Sequence, residues 1–150
     1  MSKKPFVPEN FIVPLTLETK DFRLRMLSVD DVEKDYEAVM ETQERFHAMG
    51  LSWPREGFTL EENLADLERH QGEFLDREAF AYTVVSLDES RVLGCVYINP
   101  AEIEDVDARI FMWVRESEYD KGLEPILFDE VKKWIDTRWP FTVVVYPGRE

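Results

Sequence analysis

A single α+β domain with elements in the order β-α-α-β-β-β-α-β is predicted by three features of this sequence. An alternating apolar and basic run, Phe22-Arg23-Leu24-Arg25-Met26-Leu27, lies near the start, where the period of two marks a half-buried strand. Two capped amphipathic helical stretches follow it. The second half then holds three apolar strands, one helix and a last β-branched run. At 150 residues one domain is the default, and a chain of this length buries roughly 70% of its unfolded surface, enough for a real core.

Each element has its own warrant. The start, residues 1–15, is punctuated by Pro5, Pro8 and Pro14 without helical period, and reads as an extended arm. After the first strand, Ser28 followed by Asp31 is a capping arrangement, and Val32, Tyr36, Val39, Met40 and Phe46 supply the apolar face of a first helix. Residues 49–58 carry two glycines, a proline, Trp53 and Phe58, and form a loop. Thr59 with Glu62 is a second capping box, and Leu60, Leu64, Leu67, Phe74 and Leu75 mark the second helix. Residues 80–87 and 92–98 make a hairpin around Asp88-Glu89-Ser90, closed by Asn99-Pro100. An acidic linker over 102–107 leads to a strand at 109–114. A turn over 118–124 opens the next helix, where Pro125 sits early and Ile126, Leu127, Val131, Trp134 and Ile135 fall at helical spacing. The run 141–146 is β-branched and is expected to lie buried in a parallel sheet.

Charge and composition narrow the function classes. Against 18 basic residues stand 32 acidic ones, a net charge of −14, which argues against nucleic acid or an anionic membrane as partner and for a cationic or neutral one. No apolar run approaches a membrane span, and Met1-Ser2-Lys3-Lys4 leads into prolines, so a soluble, cytoplasmic protein is expected. A lone Cys95 in an apolar run reads as a small buried hydrophobe, and no Cys/His cluster has metal-ligand spacing, so no metal is expected. His47 and His70 lie on helical stretches without a nucleophile or acid at catalytic spacing, and read as structural or exposed.

Four pieces, FRLRMLSVDD, FAYTVVSLDESRVLGCVYINP, ARIFMWVRESEYDKGLEPILFDEVKKWI and FTVVVYPG, together resemble the GNAT superfamily of acyl-CoA-dependent N-acetyltransferases, from about Thr16 onward. The resemblance implies a three-layer α/β/α fold. Its mixed, mostly antiparallel sheet would have about five strands, with the fourth and fifth parallel and the family's last two strands lacking. It implies acetyl-CoA as cofactor, with Met112, Trp113 and Val114 as the strand end facing the pantetheine arm. Successive N–H groups around Tyr119, Lys121, Gly122 and Leu123 would cradle its pyrophosphate at a helix N-terminus. The family's turn has Arg or Gln, then Gly, then Gly or Ala where this chain has Tyr119, Gly122 and Glu124. A lone Glu124 carboxylate ~5 Å from a phosphate charge, at an effective dielectric of ~20, would cost roughly 3 kcal/mol. The alternative reading makes Gly122 a turn residue with positive φ and Glu124 a first-turn acid on the helix dipole.

The family's fourth-strand base falls at Arg109, which cannot act as one, and the nearest substitutes are Glu102 and Glu104. The loop between the first two helices forms a substrate wall in the family, which implies Trp53 and Phe58 as substrate-binding residues or, alternatively, as rings anchoring the loop. Two functions therefore remain. One is an N-acetyltransferase moving acetyl to a primary amine of a small molecule or protein N-terminus. The other is a GNAT-fold binding or interaction protein without acyl transfer. With Glu150 as the last residue, the 141–146 strand would present an open edge, to be covered by a homodimer contact or by the arm folding back.

Overall fold

A computed structural model describes residues 5–149. Six strands form one sheet in the order β1-β2-β3-β4-β5-β6, comprising β1 (Thr16–Glu18), β2 (Arg23–Met26), β3 (Phe80–Val85), β4 (Val92–Pro100), β5 (Ala108–Val114) and β6 (Val144–Val145). Neighbours are antiparallel except β5 and β6, which are parallel. Helices α1 (Val32–Ala48), α2 (Leu60–Leu75), α3 (Glu116–Asp120) and α4 (Leu123–Arg138) complete the fold. Because side chains alternate along a strand, the sheet carries two cores. Ala81, Val85, Cys95 and Trp113 pack with Val39, Phe46 and Leu67 of α1 and α2 on one face. Phe80, Tyr82, Val96, Ile110, Met112 and Val114 pack with Leu127, Val131 and Ile135 of α4 on the other.

The caps behave as their sequences demand. Ser28 Oγ accepts the Asp30 N–H at 3.1 Å to open a 3₁₀ turn ahead of α1, and Thr59 Oγ1 accepts the Glu62 N–H at 3.2 Å to open α2. Other expectations are corrected. On α2 the buried positions are Asn63, Leu67 and Phe74, whereas Leu60, Leu64 and Leu75 are exposed flank residues, so a polar Asn holds a place that hydrophobicity alone gives to leucine. Ile126 likewise is exposed on α4. Strand β4 runs through Pro100, which needs no ladder N–H at the strand's last position. Strand β1, only three residues long, and the single-turn α3 were not anticipated.

The largest correction concerns residues 141–146. Only Val144 and Val145 pair with β5, opposite Ala108 and Arg109, and Thr142 and Val143 are exposed. The Asp107 carboxylate accepts the N–H groups of Thr142 at 2.7 Å and Val143 at 2.9 Å, which takes these two donors out of any ladder. The arm, in turn, packs down. Phe6 stacks between Phe80 and Phe141 with centroids 5.8 and 5.1 Å away, and Tyr82 donates its hydroxyl to Pro14 O at 2.5 Å. No described helix is long and apolar enough to cross a membrane.

Candidate functional site

The parallel pair parts early. Register pairs join β6 to β5 only at Ala108 and Arg109, while β5 continues to Val114, so a notch opens along its last five residues, about 16 Å of strand edge. The carbonyls of Met112 and Val114 face this notch. Arg149 Nη2 donates to Met112 O at 2.8 Å, and Arg45 Nη2 donates to Val114 O. Trp113 points its ring the other way, against Phe46 of α1, and donates its indole N–H to the Tyr97 hydroxyl at 3.1 Å. Beside the notch lies a cavity of about 700 Å³, lined by Arg45, Tyr119, Gly122, Glu124, Phe128 and Arg149 among others. Arg45 stacks its guanidinium 4.2 Å over the Tyr119 ring and pairs with Glu116 at 3.0 Å.

The turn after β5 is built by its neighbours rather than left open. Arg115, buried at the start of the turn, donates to both oxygens of Glu41, at 2.9 and 3.1 Å, to Glu37 at 2.9 Å and to Val92 O at 3.0 Å. That guanidinium, aided by Ser117, holds the Glu41 carboxyl down at about 2. The backbone donors are consumed as well. Arg115 N–H goes to Leu93 O, Glu116 N–H to Thr42 Oγ1 and Ser117 N–H to Glu41 Oε2, each within 3.1 Å. Those of Glu118 and Tyr119 go to Arg115 O, that of Lys121 to Glu118 O and that of Gly122 to Tyr119 O. Of the N–H groups expected to be free, α3 and the turn after it thus engage those of Tyr119, Lys121 and Gly122. Gly122, at φ 85°, then lets the chain turn into α4 in the left-handed region that a side chain would disfavour.

Around this frame the other residues singled out from the sequence take definite places. Leu123 is buried as the first residue of α4, and Lys121 is exposed with its ammonium 3.9 Å from Glu118. Glu124 does not present a lone charge to the notch, because its Oε1 accepts from Arg149 Nη2 at 2.5 Å. The repulsion expected of an isolated carboxylate is therefore offset locally by a cation. Glu102 and Glu104 are exposed on the loop before β5, and β5 alone puts about 20 Å between that loop and Val114. Trp53 and Phe58 are packed together edge to face at 6.0 Å, Trp53 against Phe46 and Phe58 against Tyr36, in the manner of loop anchors. His47 Nε2 lies 2.6 Å from Pro54 O, His70 packs on the Tyr97 ring, and Cys95 is buried with its thiol pushed upward by desolvation. Arg45 and Arg149 were missed by sequence reasoning. Neither lies in a motif, and only the fold brings positions over a hundred residues apart to one strand edge.

A six-stranded mixed sheet whose parallel pair parts after two residues is the framework of this site. No protein-family profile matches the chain, and no curated protein matches it in sequence. Solved structures do match. A Vibrio cholerae protein assigned as a ribosomal-protein-serine acetyltransferase superposes with a TM-score of 0.70 at 15% identity, over 89% of this chain and 75% of that one. RimL, a ribosomal L7/L12 alpha-N-protein acetyltransferase in complex with coenzyme A, gives 0.69 at 17% identity, over 89% and 72%. A GNAT-family acetyltransferase from Bacillus anthracis gives 0.63 at 14%, over 87% and 72%. The chain has the fold of the GNAT superfamily.

Proposed function

We propose that this protein is an N-acetyltransferase that lays the pantetheine arm of acetyl-CoA along the open edge of β5 and acylates a primary amine of a small molecule or protein N-terminus. The observation that carries this reading is the notch itself. The carbonyls of Met112 and Val114 face a gap beside a cavity of about 700 Å³, a size suited to a small-molecule cofactor. The residues fit the cofactor unevenly. Met112 O, Val114 O and Arg149 suit its amide-bearing arm, while the N–H groups of residues 115–119, 121 and 122 are already spent, so its phosphates would depend on the first-turn N–H groups of α4 and the side chain of Arg45. When bound, acetyl-CoA supplies an acyl group activated as a thioester. The net charge of −14 favours a cationic amine as the acceptor and speeds its approach at low salt. Such charge, with cavity residues suited to a soluble cofactor, accords with action in the cytoplasm.

The committed turn supports a second reading. Glu124 is the sole carboxylate among the described residues lining the cavity, and it is tied to Arg149, which leaves those residues short of a general base. A protein of this kind would bind a ligand or partner without acyl transfer. Calorimetry with acetyl-CoA and with CoA, followed by an assay for free thiol release with a panel of primary amines, separates the two. Binding with turnover supports the transferase, and binding without turnover on any amine supports the second reading. No binding of either ligand would remove the acyl-CoA assignment altogether.

A further inference from the structure

Resting on the acetyltransferase reading, a place for the acceptor follows from the side of β5 that the helices leave open. Side chains alternate along β5, so Ile110, Met112 and Val114 meet the core under α4 while Arg109, Phe111 and Trp113 face the other way. Trp113 lies against Phe46 of α1. Phe111 is only half-buried and Arg109 is exposed, so the helical cover ends between Trp113 and Phe111. On the shelf that remains, Phe111 stacks with Tyr97 of β4 at 6.0 Å, and Arg109 is flanked by Asn99 on β4 and Val145 on β6.

Two polar side chains stand on this shelf unengaged. Arg23 and Arg25, the other arginines borne by strands, are both paired with carboxylates. Neither the Arg109 guanidinium nor the Asn99 side-chain amide has a hydrogen bond or ion pair among the described residues, in a chain with 32 acidic residues. Side chains directly opposite in an antiparallel pair start about 4.5–5.5 Å apart, so a fork that suits a carboxylate stands beside an amide oxygen that can accept from an amine. The rings of Phe111 and Tyr97 displace water beside them, which strengthens a charge-assisted hydrogen bond.

Position ties the shelf to the reaction. β6 parts from β5 immediately after Arg109, so the closed end of the notch adjoins the shelf, and an acyl group carried to that end would meet a molecule resting there. The net charge of −14 draws the ammonium end of a zwitterion, and Arg109 is a local exception suited to its carboxylate.

We propose that the shelf around Arg109 and Asn99 is the acceptor site and that it selects a free amino acid, the carboxylate held by the Arg109 guanidinium and the amine donating to Asn99 Oδ1. Arg109 is then the residue that sets acceptor specificity.

Leucine and leucinamide, which differ only in the carboxylate, test this on the full chain. Arg109→Gln should lower the leucine-to-leucinamide ratio of kcat/KM about tenfold, a comparison in which the differing basicity of the two amines cancels, and leave KM for acetyl-CoA within about twofold. Because Arg109 has no partner among the described residues, the substitution should leave the fold intact. Without acetyl-CoA, millimolar leucine should shift the Arg109 Nε–H resonance and leucinamide should not. The assignment is overturned if the ratio is unchanged, if the acetyl-CoA KM rises in parallel, or if leucinamide shifts the resonance as much as leucine. A fall in ratio confined to glutamyl-alanine amide against glutaminyl-alanine amide would mean that the shelf reads an acidic peptide end, which also overturns it. If the natural chain acylates other primary amines but neither leucine nor leucinamide, the acceptor assignment alone falls. If it acylates no amine at all, the acetyltransferase reading falls with it.

Discussion

Asp35 sits in the core between α1 and the sheet, 4% exposed, with Asn63 Nδ2 donating to it at 2.9 Å. Burial raises its carboxyl from 3.8 to about 6, against the pull of the Asn63 hydrogen bond. The folded state therefore keeps this proton longer than the unfolded chain does. Asp35 costs nothing below about pH 4, costs progressively more as pH rises towards 6, and holds its full penalty above that. Asp35→Asn, which retains an acceptor for Asn63, should then stabilise the protein by about 2 kcal/mol at pH 8 and by almost nothing at pH 4. Urea midpoints at the two pH values check this, and a gain independent of pH would refute it. Gly94 makes a sharper case. A Cβ there would stand 2.1 Å from Trp113 O across the β4–β5 ladder, a backbone contact that cannot swing aside. Gly94→Ala should cost about 3 kcal/mol or more and lower the melting temperature by more than 10 °C. At this scale the sequence told little: Gly94 reads as an ordinary strand residue, Asp35 as one acid of a solvated helix face, and Arg149 as the tail of a turn. Each gains its meaning from an atom far along the chain.

The caps of the elements were legible in advance, because Ser28, Thr59 and Pro125 act on groups within four residues. The hairpin and the long helices followed from local pattern as well, while the parallel pairing of the last strand with 109–114 was implied by the family resemblance. What local pattern could not show was α3, because its donors are satisfied by Glu41, Thr42 and Leu93, which lie on other elements. Nor could it show that Asp107 would cut β6 short. The clamp of Arg115 on Glu37 and Glu41 is what ties the turn to α1, and it yields a prediction for the element as a whole. Glu41→Ala removes both hydrogen bonds from Arg115, the partner of the Ser117 N–H and that of its hydroxyl, leaving a buried guanidinium with Glu37 and one carbonyl. We expect a loss of about 2–3 kcal/mol and faster amide exchange over 115–122, while α2 amides keep their relative protection. Since the carboxyl of Glu41 is lowered from 4.5 to about 2, its contribution is whole above pH 4.5 and fades as pH falls towards 2. The same substitution measured at pH 2 should therefore cost much less, and an equal cost at both would contradict the clamp.

For the molecule as a whole, the arm and the short sixth strand form one problem. An exposed Val-rich strand edge invites pairing with another chain, and β6 has a neighbour on one side only, with Val143 44% exposed. The arm answers part of this. It covers the side-chain face by stacking Phe6 on Phe141 at 5.1 Å and Phe11 against Trp139 at 5.3 Å, and it is anchored by Arg77 to Pro8 O at 2.8 Å. Its described residues do not add a strand, and its prolines at positions 5, 8 and 14 supply no ladder N–H. Three aromatic rings, those of Phe80, Trp139 and Phe141, thus depend on the arm for cover, next to an edge only two residues long. With the arm in place the short edge offers too little ladder for a stable two-fold contact, and light scattering at micromolar concentration should show a monomer. Phe6→Ala with Phe11→Ala removes two half-buried rings, each contributing about 1–2 kcal/mol, and so should lower stability by roughly 2–4 kcal/mol. It also uncovers an apolar strip continuous with β6, so the double variant should associate at concentrations where the natural chain does not. A natural chain that is already dimeric, with the double variant unchanged in mass, would mean that β6 pairs between copies and that the arm plays no part in guarding it.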